Sequence, residues 1–108
     1  MHTLKRYDED GQVLGALEWQ ECPGRTFEVH IDVNPTHHRK GIGRSMMEEL
    51  LELVKDRNPM CLYTFMAGDN ELAQKFFRGI GFTLYHIPSF YGHGRDAYFG
   101  CKPIGEPK

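Results

Sequence analysis

The sequence predicts a domain of the α/β (α+β) class: a mixed, mostly antiparallel sheet with a central parallel crossover, flanked by two main helices. Three observations predict it. The 108 residues suffice for one hydrophobic core, so we expect a single domain over 1–108. Hydrophobic residues make up 40% and charged residues 26%, which is typical of folded globular chains. The hydrophobic period changes from two to about four after Gly41, so strands precede a helix.

The first third of the chain predicts a meander of three strands, at 3–7, 13–20 and 26–33, joined by turns rich in Asp, Gly and Pro. The third strand alternates strictly between two faces, with Phe27, Val29, Ile31 and Val33 on one and Glu28, His30 and Asp32 on the other. This strand therefore presents a polar face opposite the core.

The rest of the chain predicts helix, strand, helix, strand, strand. Apolar residues recur every four positions from Ile42 to Val54, which predicts an amphipathic helix ending near Asn58. A short apolar strand at 61–66 follows, and then a second helix capped by Asp69 or Asn70. The buried stripe of this helix is predicted to be Ala73, Phe76, Phe77 and Ile80. The last two strands, at 82–87 and 96–101, are joined by a loop at 88–94, and Trp19 and Phe99 are predicted to be core residues.

Charge and composition exclude several classes of partner. The net charge of -2 gives no general attraction to nucleic acid or to an anionic lipid surface. No apolar run approaches the roughly 20 residues of a membrane helix. The three cysteines form no paired motif and no secretory leader precedes them, so we expect a cytoplasmic protein. The histidines near residues 30–38 have no recognisable metal-ligand spacing, so no metal is expected.

A glycine-rich turn between the third strand and the first helix predicts a site for a pyrophosphate. The start of a helix exposes unpaired N–H groups, and Gly41 and Gly43 remove side chains that would keep an anion away from them. Arg39, Lys40 and Arg44 add positive charge there. The spacing matches neither the dinucleotide fingerprint nor the Walker motif. The alternative is that the glycines only allow the chain to turn.

Two separated motifs resemble the GCN5-related N-acetyltransferases (GNAT). The first is Val33-Asn34-Pro35 followed by His38-Arg39-Lys40-Gly41-Ile42-Gly43, similar to the Val-x-Pro and Gln/Arg-x-x-Gly-x-Gly/Ala of that family. The second is Asn70-x-x-Ala73-x-x-Phe76-Phe77-x-x-x-Gly81-Phe82, similar to the Asn-x-x-Ala-x-x-Phe-Tyr-x-x-x-Gly-Phe helix of the family. The resemblance covers roughly residues 11–102.

The resemblance implies an acyl-CoA N-acyltransferase fold with acetyl-CoA as co-substrate. The strands ending at Val33 and Met66 would splay apart to admit the cofactor. The implied cofactor-binding residues are Ile31, Val33, His38, Arg39, Lys40, Gly41, Ile42, Gly43, Arg44, Ser45, Asn70 and Phe77. Two positions depart from the pattern. His38 stands where Gln or Arg is usual, and Phe77 stands where many members have a tyrosine that protonates the departing thiolate.

Acetyl transfer to an amine needs a base, because an ammonium ion has no lone pair for attack. Glu28 and His30 are the first candidates, since a carboxylate beside an imidazole can relay a proton. The alternatives are that this face is only solvated, or that His30 bonds Asp32. A strand bulge, frequent in the family, would instead turn Arg25 or Phe27 into the cleft.

Tyr91 is the preferred substitute for the missing acid, ahead of Tyr85, because it lies on the loop at 88–94. The alternative is that Phe90 and Tyr91 cap the sheet. Cys61 and Cys101 are interpreted as structural. The segment from Phe90 to Ala97 also resembles family members that acetylate protein or peptide N-termini.

The leading hypothesis is therefore an acetyl-CoA-dependent N-acetyltransferase that moves an acetyl group to a primary amine, a small amine or a peptide or protein N-terminus, by direct attack in a ternary complex. The alternative is a non-catalytic acyl-CoA-binding module with a regulatory or partner-binding role. A purely structural small domain is a third, weaker interpretation. The chain begins at a strand resembling the second strand of the fold, so we expect an N-terminally abbreviated domain. Its acceptor site would be either open or walled by the partner in a homodimer.

Overall fold

A computed structural model describes residues 1–34 and 41–105. The elements of this part of the chain, in order, are β1 His2–Tyr7, β2 Val13–Cys22, β3 Thr26–Val33, α1 Ile42–Val54, β4 Cys61–Ala67, α2 Glu71–Gly79, β5 Thr83–Ile87 and β6 Ala97–Pro103. The strands form one sheet of order β1-β2-β3-β4-β6-β5. Among the described strands, only β3 and β4 pair in parallel. The predicted fold class is confirmed.

Both ends of α1 follow from local sequence. Gly41 precedes the helix with φ of 74°, a left-handed conformation that glycine adopts without steric cost. The α-helix ends at Val54 and tightens into a 3-10 turn at Lys55–Arg57. Asn58 then takes a left-handed conformation directly before Pro59, which cannot continue a helix. The helical segment thus ends where the sequence predicts, although its last turn is not α-helical.

Both helices pack on the same face of the sheet. The core brings together Met46 and Leu50 of α1, Phe77 of α2, Val29 of β3 and Leu62 of β4. Trp19 belongs to this core, as predicted. The stripe of α2 is confirmed, since Ala73, Phe76 and Ile80 pack against the core beside Phe77. Gln74 is buried as well, which the sequence did not indicate, and its side-chain amide donates to the carbonyl of Gly68 at 3.0 Å.

The opposite face of the sheet carries the alternate residues of the strands. We call it the helix-free face and define it by Gln20, Glu28, His30, Tyr63, Phe65, Tyr85 and Phe99. These side chains alternate with the buried residues of β2, β3 and β4 or pair across the sheet with residues that do. The prediction of Phe99 as a residue of the main core was wrong. Its partner across the sheet is Phe65, so it lies on the helix-free face, where it is partly buried.

The parallel pairing of β3 with β4 is short. It joins Thr26 to Cys61, Phe27 to Leu62 and Glu28 to Tyr63, and no further pair is recorded between the described residues of the two strands. Both strands nevertheless continue, to Val33 and Ala67. They therefore part after Glu28 and Tyr63, which confirms the predicted splay. We call the space between the diverging halves the cleft and the pair Glu28 and Tyr63 its apex.

The β2–β3 ladder shows no bulge. Its register runs without interruption from Gly15 opposite Val33 to Cys22 opposite Thr26. Phe27 consequently stays fully buried and does not turn toward the cleft. Arg25 precedes the strand, in a turn beside Gly24.

Candidate active site

Glu28 and His30 form a hydrogen-bonded pair at the apex of the cleft. His30 Nε2 lies 2.7 Å from Glu28 Oε2. The other oxygen, Glu28 Oε1, accepts a hydrogen bond from Gln20 Nε2 at 3.2 Å. The sequence left open whether His30 bonds Asp32, but its partner here is Glu28. Both oxygens of the carboxylate are thus held by side chains from β2 and β3.

This arrangement selects one tautomer of the imidazole. A carboxylate can only accept, so Nε2 must carry the hydrogen, and the lone pair of the neutral ring is then on Nδ1. The side chain of His30 is 42% exposed. His30 can therefore accept a proton at Nδ1 while Glu28 orients the ring, the roles expected of a general base and its supporting carboxylate.

Tyr63 is a residue of this site that the sequence did not single out. It lies opposite Glu28 in the parallel pairing, and its hydroxyl donates to Cys22 Sγ at 3.2 Å. The hydrogen bond to Cys22, then burial, and then the neighbouring Glu28 raise the pKa of Tyr63 to about 12. The phenol therefore keeps its proton at any working pH and acts as a permanent hydrogen-bond donor.

The sequence alone predicts which face of its strand Tyr63 occupies. Its position within the strand at 61–66 puts it on the face opposite Leu62 and Thr64. The sequence does not show that Tyr63 pairs with Glu28, because a parallel register joins segments more than thirty residues apart. Only the pairing of Glu28 with Tyr63 shows that the two side chains share the apex.

The two tyrosines predicted as acids lie elsewhere. Tyr85 is on β5, the edge strand, where it pairs with Phe99. The ring of Tyr91 meets Phe90 edge-on at 5.1 Å, and Phe90 stacks on Phe65 at 5.1 Å. Phe90 thus caps the helix-free face, as the alternative interpretation expected. The role of Tyr91 as proton donor stays a prediction.

Tyr91 also borders a cavity of about 420 Å³ beside the loop. Asp96, another lining residue, holds the loop closed: its carboxylate accepts from the Ser89 N–H at 2.8 Å and lies 2.7 Å from His86 Nε2. The hydrogen bond from Ser89, and after it the one from His86, lowers the pKa of Asp96. Asp69 and Arg95 line the same cavity, so its wall carries both signs of charge.

The start of α1 has the open geometry that an anion site needs. Among the described residues, no side chain caps the helix at Gly41, and a Cβ built there would meet nothing within 4 Å. No described side chain therefore covers the N–H groups of the first turn at the positive end of the helix dipole. Of the residues predicted to bind the cofactor, His38, Arg39 and Lys40 lie outside the described residues. Contact of those at 41–45 with a pyrophosphate stays a prediction.

Gly43 also lies where α1 packs against α2, and a side chain at this position would clash. It is buried, and a Cβ there would lie 2.7 Å from Cε1 of Phe76 on α2. Ile42, by contrast, is partly buried and packs against the core. The glycine therefore allows the two helices to approach each other, in addition to any contact with a ligand.

Two side chains at 44–45 are tied to other elements. The hydroxyl of Ser45 accepts a hydrogen bond from Arg6 Nε at 3.3 Å, and the same guanidinium pairs with Glu49 at 2.7 Å. Arg44 is exposed and donates to the carbonyl of Gly79 at 3.5 Å. Arg6 thus anchors the first turns of α1 to the edge strand β1.

The remaining predicted cofactor residues have structural roles here. Ile31 and Val33 lie on the helix side of β3 beside the cleft, partly buried. Asn70 caps α2, its side chain accepting from the Ala73 N–H at 3.1 Å. Phe77 is 2% exposed and packs edge-on against Phe82 at 4.9 Å. Contact of these residues with a cofactor stays a prediction.

Metal and membrane features can be stated for the described residues. Within 1–34 and 41–105, no group of three or more His, Cys, Asp or Glu side chains is arranged to hold a metal ion. No helix in those ranges has the length and apolar character needed to cross a bilayer.

Comparison with known proteins agrees with the motifs and the fold. The model of the acetyltransferase (GNAT) family matches residues 2–82, which is most of the chain. This chain belongs to the GNAT family. A relative is the N-alpha-acetyltransferase RimI of Mycobacterium tuberculosis, 33% identical over 91 residues, which cover 78% of this chain and 56% of that protein.

A second relative is the catalytic subunit of the N-terminal acetyltransferase B complex of Schizosaccharomyces pombe. It is 29% identical over 89 residues, which cover 80% of this chain and 49% of that protein. The chain thus spans about half the length of each of these two curated relatives.

Solved structures share the fold. Nourseothricin acetyltransferase has a TM-score of 0.85 and 27% identity, covering 94% of this chain and 64% of its own. A GNAT superfamily phosphinothricin acetyltransferase from Sinorhizobium meliloti, solved in complex with acetyl-CoA, has a TM-score of 0.77 and 21% identity, covering 95% and 60%. The described sheet and its two helices are therefore a GNAT framework.

Proposed function

We propose that this protein is an acetyl-CoA-dependent N-acetyltransferase that acetylates a primary amine. One observation carries the proposal: an oriented imidazole, His30 on Glu28, stands at the apex where β3 and β4 separate. The uncapped start of α1 follows β3 in the same chain segment, where residues 41–45 would hold the pyrophosphate. Membership of the GNAT family supports acetyl-CoA as the co-substrate.

When bound, acetyl-CoA supplies a thioester that the amine attacks directly in a ternary complex, the C–N bond forming as the C–S bond breaks. The chain's own residues prepare that attack. His30 Nδ1 takes a proton from the incoming ammonium and leaves a neutral amine. Glu28 and Gln20 hold the ring in place. The raised pKa of Tyr63 makes it a weak acid, so we assign it no acid role. Tyr91 is the proposed donor to the departing thiolate; the nitrogen loses its second proton to solvent as the amide forms, and solvent returns a proton to Tyr91.

For the acceptor, we propose a peptide or protein N-terminus ahead of a small amine. Two curated relatives, the RimI enzyme and the catalytic subunit of the N-terminal acetyltransferase B complex, are named as enzymes of N-alpha and N-terminal acetylation, which supports this class. The open helix-free face also supports it, because a chain end can approach such a surface more readily than it can enter a closed pocket.

We further propose a cytoplasmic location, and either an open acceptor site or a homodimer whose partner completes the wall. The free thiols of Cys22, Cys61 and Cys101 suit a reducing compartment. Sedimentation at micromolar concentration distinguishes a monomer with an open site from a homodimer, since the dimer has twice the 12.5 kDa mass of the chain.

The test is release of free thiol from acetyl-CoA in the presence of a panel of amines and N-terminal peptides. Turnover with at least one acceptor is expected. His30→Ala should lower kcat about 100-fold or more, the usual contribution of a general base, and leave the KM for acetyl-CoA within about twofold. Asp32→Asn, an exposed carboxylate two residues further along β3, is the control that should retain the rate.

Two outcomes decide between this proposal and the alternative. Equal loss of kcat and of acetyl-CoA affinity in His30→Ala would refute its assignment as base. Binding of acetyl-CoA with no thiol release for any amine would favour the non-catalytic acyl-CoA-binding module. That second function is kept because Phe77 replaces the usual tyrosine and is buried in the core.

A further inference from the structure

Six aromatic side chains form a continuous surface on and beside the helix-free face. We call it the aromatic platform, and its members are Tyr63, Phe65, Tyr85, Phe90, Tyr91 and Phe99. Phe65 stands at the centre, with Phe90 and Phe99 each 5.1 Å away and Tyr63 at 6.4 Å between ring centroids. Tyr85 extends the surface from Phe99 at 6.4 Å, and Tyr91 extends it from Phe90 at 5.1 Å.

The outer part of the aromatic platform is open to solvent. Tyr85 is 55% exposed, Phe90 49% and Tyr91 47%. Large apolar side chains exposed singly are ordinary, whereas a connected group marks a contact surface. Phe90 and Tyr91 adjoin each other, and Tyr85 is connected to them through Phe99 and Phe65. They lie on β5 and on the following loop, while no helix of the described residues packs on that face.

The inner end of the platform adjoins the proposed base. Tyr63 is the register partner of Glu28, and His30 projects from the same face two residues further along β3. An amine that reaches His30 Nδ1 can therefore extend its substituent toward Tyr63 and Phe65. The carboxylate of Glu28 is already engaged with His30 and Gln20, so it offers little to a charged substituent.

We infer that the acceptor carries a large apolar or aromatic group next to its amine, and that this group packs on the aromatic platform. The inference rests on the proposed function and narrows its acceptor class to N-termini whose first residues are bulky and apolar. Rings at 5–7 Å spacing favour a further aromatic or aliphatic group by dispersion and by edge or offset stacking. A small or acidic first residue would leave those rings uncovered.

The experiment compares kcat/KM for four peptides that differ only in the first residue: Phe, Ala, Asp and Lys. The kcat/KM of the Phe peptide should exceed that of the Ala and Asp peptides by about fivefold or more. The reason is that contact with an apolar group of this size changes the ratio of kcat/KM between two substrates by about 10-fold. Phe90→Ala should remove most of this preference, because it should lower kcat/KM for the Phe peptide more than for the Ala peptide. Tyr7→Ala, an equally exposed tyrosine on the opposite edge strand β1, should retain the preference.

Several results would overturn the inference. Equal rates for Phe and Ala peptides, a preference for Asp, or a Phe preference that survives Phe90→Ala would each do so. A preference for the Lys peptide would show recognition of a cation on the ring faces instead. A dimer that Phe90→Ala dissociates, with unchanged peptide preference, would show that a second copy covers the platform.

Complete absence of turnover would refute the proposed function but would still leave the platform testable. Calorimetric titration of the N-acetylated Phe and Ala peptides, with coenzyme A present, then measures whether the aromatic platform binds the Phe side chain. Tighter binding of the Phe peptide, weakened by Phe90→Ala, supports the inference. Equal or undetectable binding of both peptides overturns it.

Discussion

At the scale of single residues, Glu28 and His30 have different roles in the proposed removal of a proton from the amine. The carboxylate has both oxygens engaged, by His30 at 2.7 Å and Gln20 at 3.2 Å, and therefore orients the imidazole more than it accepts protons from substrate. The imidazole is the half of the pair with a free nitrogen. The sequence identified the two residues together, and only the contacts assign each its role.

Tyr63 and Tyr91 are given separate roles, which matched substitutions can test. Tyr63→Phe removes the hydroxyl that donates to Cys22 and lies beside Glu28, so we expect kcat to fall about 3- to 10-fold, the cost of one positioning hydrogen bond. The KM for acetyl-CoA should stay the same. Because the pKa of Tyr63 lies at about 12, the pH profile of kcat between pH 6 and 9 should keep its shape.

Tyr91→Phe is the matched change, since it also removes one hydroxyl and keeps the ring on Phe90. If Tyr91 is the acid, this variant lowers kcat and leaves the KM for acetyl-CoA unchanged. A kcat equal to that of the unmodified protein would remove Tyr91 from the mechanism. A Tyr63→Phe variant with a shifted profile would contradict the role given to Tyr63 as a permanent donor.

At the scale of elements, the contact between α1 and α2 depends on one glycine. Gly43→Ala would place a methyl group 2.7 Å from the Phe76 ring, so we expect a loss of about 1 to 3 kcal/mol in the free energy of unfolding. Urea denaturation followed by circular dichroism measures it.

Gly79→Ala is the control for that change, because Gly79 is also helical and no described residue lies within 4 Å of its added Cβ. It should be neutral or slightly stabilising, since alanine restricts the unfolded chain. Equal destabilisation by both variants would mean that helix propensity, and not the approach of Phe76, decides the result.

The loop between β5 and β6 should depend on pH through Asp96. Its pKa is lowered in the folded state, so the stabilisation is complete above the ordinary aspartate value of about 3.9 and is lost as the pH falls through the lowered folded value. Hydrogen exchange of the Ser89 amide, which donates to Asp96 at 2.8 Å, should therefore be protected at pH 5 and lose that protection below about pH 3.9.

Asp96→Asn should weaken this protection at neutral pH and remove its dependence on acid. Asp69→Asn changes another carboxylate of the same cavity and should leave the Ser89 amide protected. Protection that is independent of pH in the unmodified protein would show that Asp96 does not hold the loop.

At the scale of the whole molecule, ligand binding should be visible as stability. If acetyl-CoA binds the folded chain, a concentration 100 times its Kd adds about 2.7 kcal/mol to the free energy of unfolding. For a domain of this length that corresponds to a rise in Tm of about 10 to 20 °C, measurable by a thermal-shift titration.

Gly41→Glu should abolish the rise in Tm, because a carboxylate at the start of α1 would repel a pyrophosphate. Gly24→Glu provides the matched control. Gly24 also has a positive φ, of 79°, and in the described part of the chain nothing lies within 4 Å of an added Cβ, but Gly24 lies in the turn before β3. No rise for the unmodified protein at millimolar acetyl-CoA would refute cofactor binding.

The sequence by itself determined the order of the elements, the family, and the polar face of β3. These properties are local: an alternation of period two, an apolar recurrence of about four, and glycines at the start of a helix can each be recognised within a dozen residues. Thr26–Val33 was predicted with its observed bounds, and α1 starts at Ile42 directly after Gly41.

Only the tertiary structure decided what stands beside that polar face. The parallel register puts Tyr63 next to Glu28, the sheet order puts Phe65 and Phe99 side by side, and α2 brings Phe76 against Gly43. Each contact joins segments at least thirty residues apart, and its register is set by how the core side chains of both strands and helices fill one space. The candidate base was therefore predictable from the sequence, whereas its supporting residues and the aromatic platform depended on the fold.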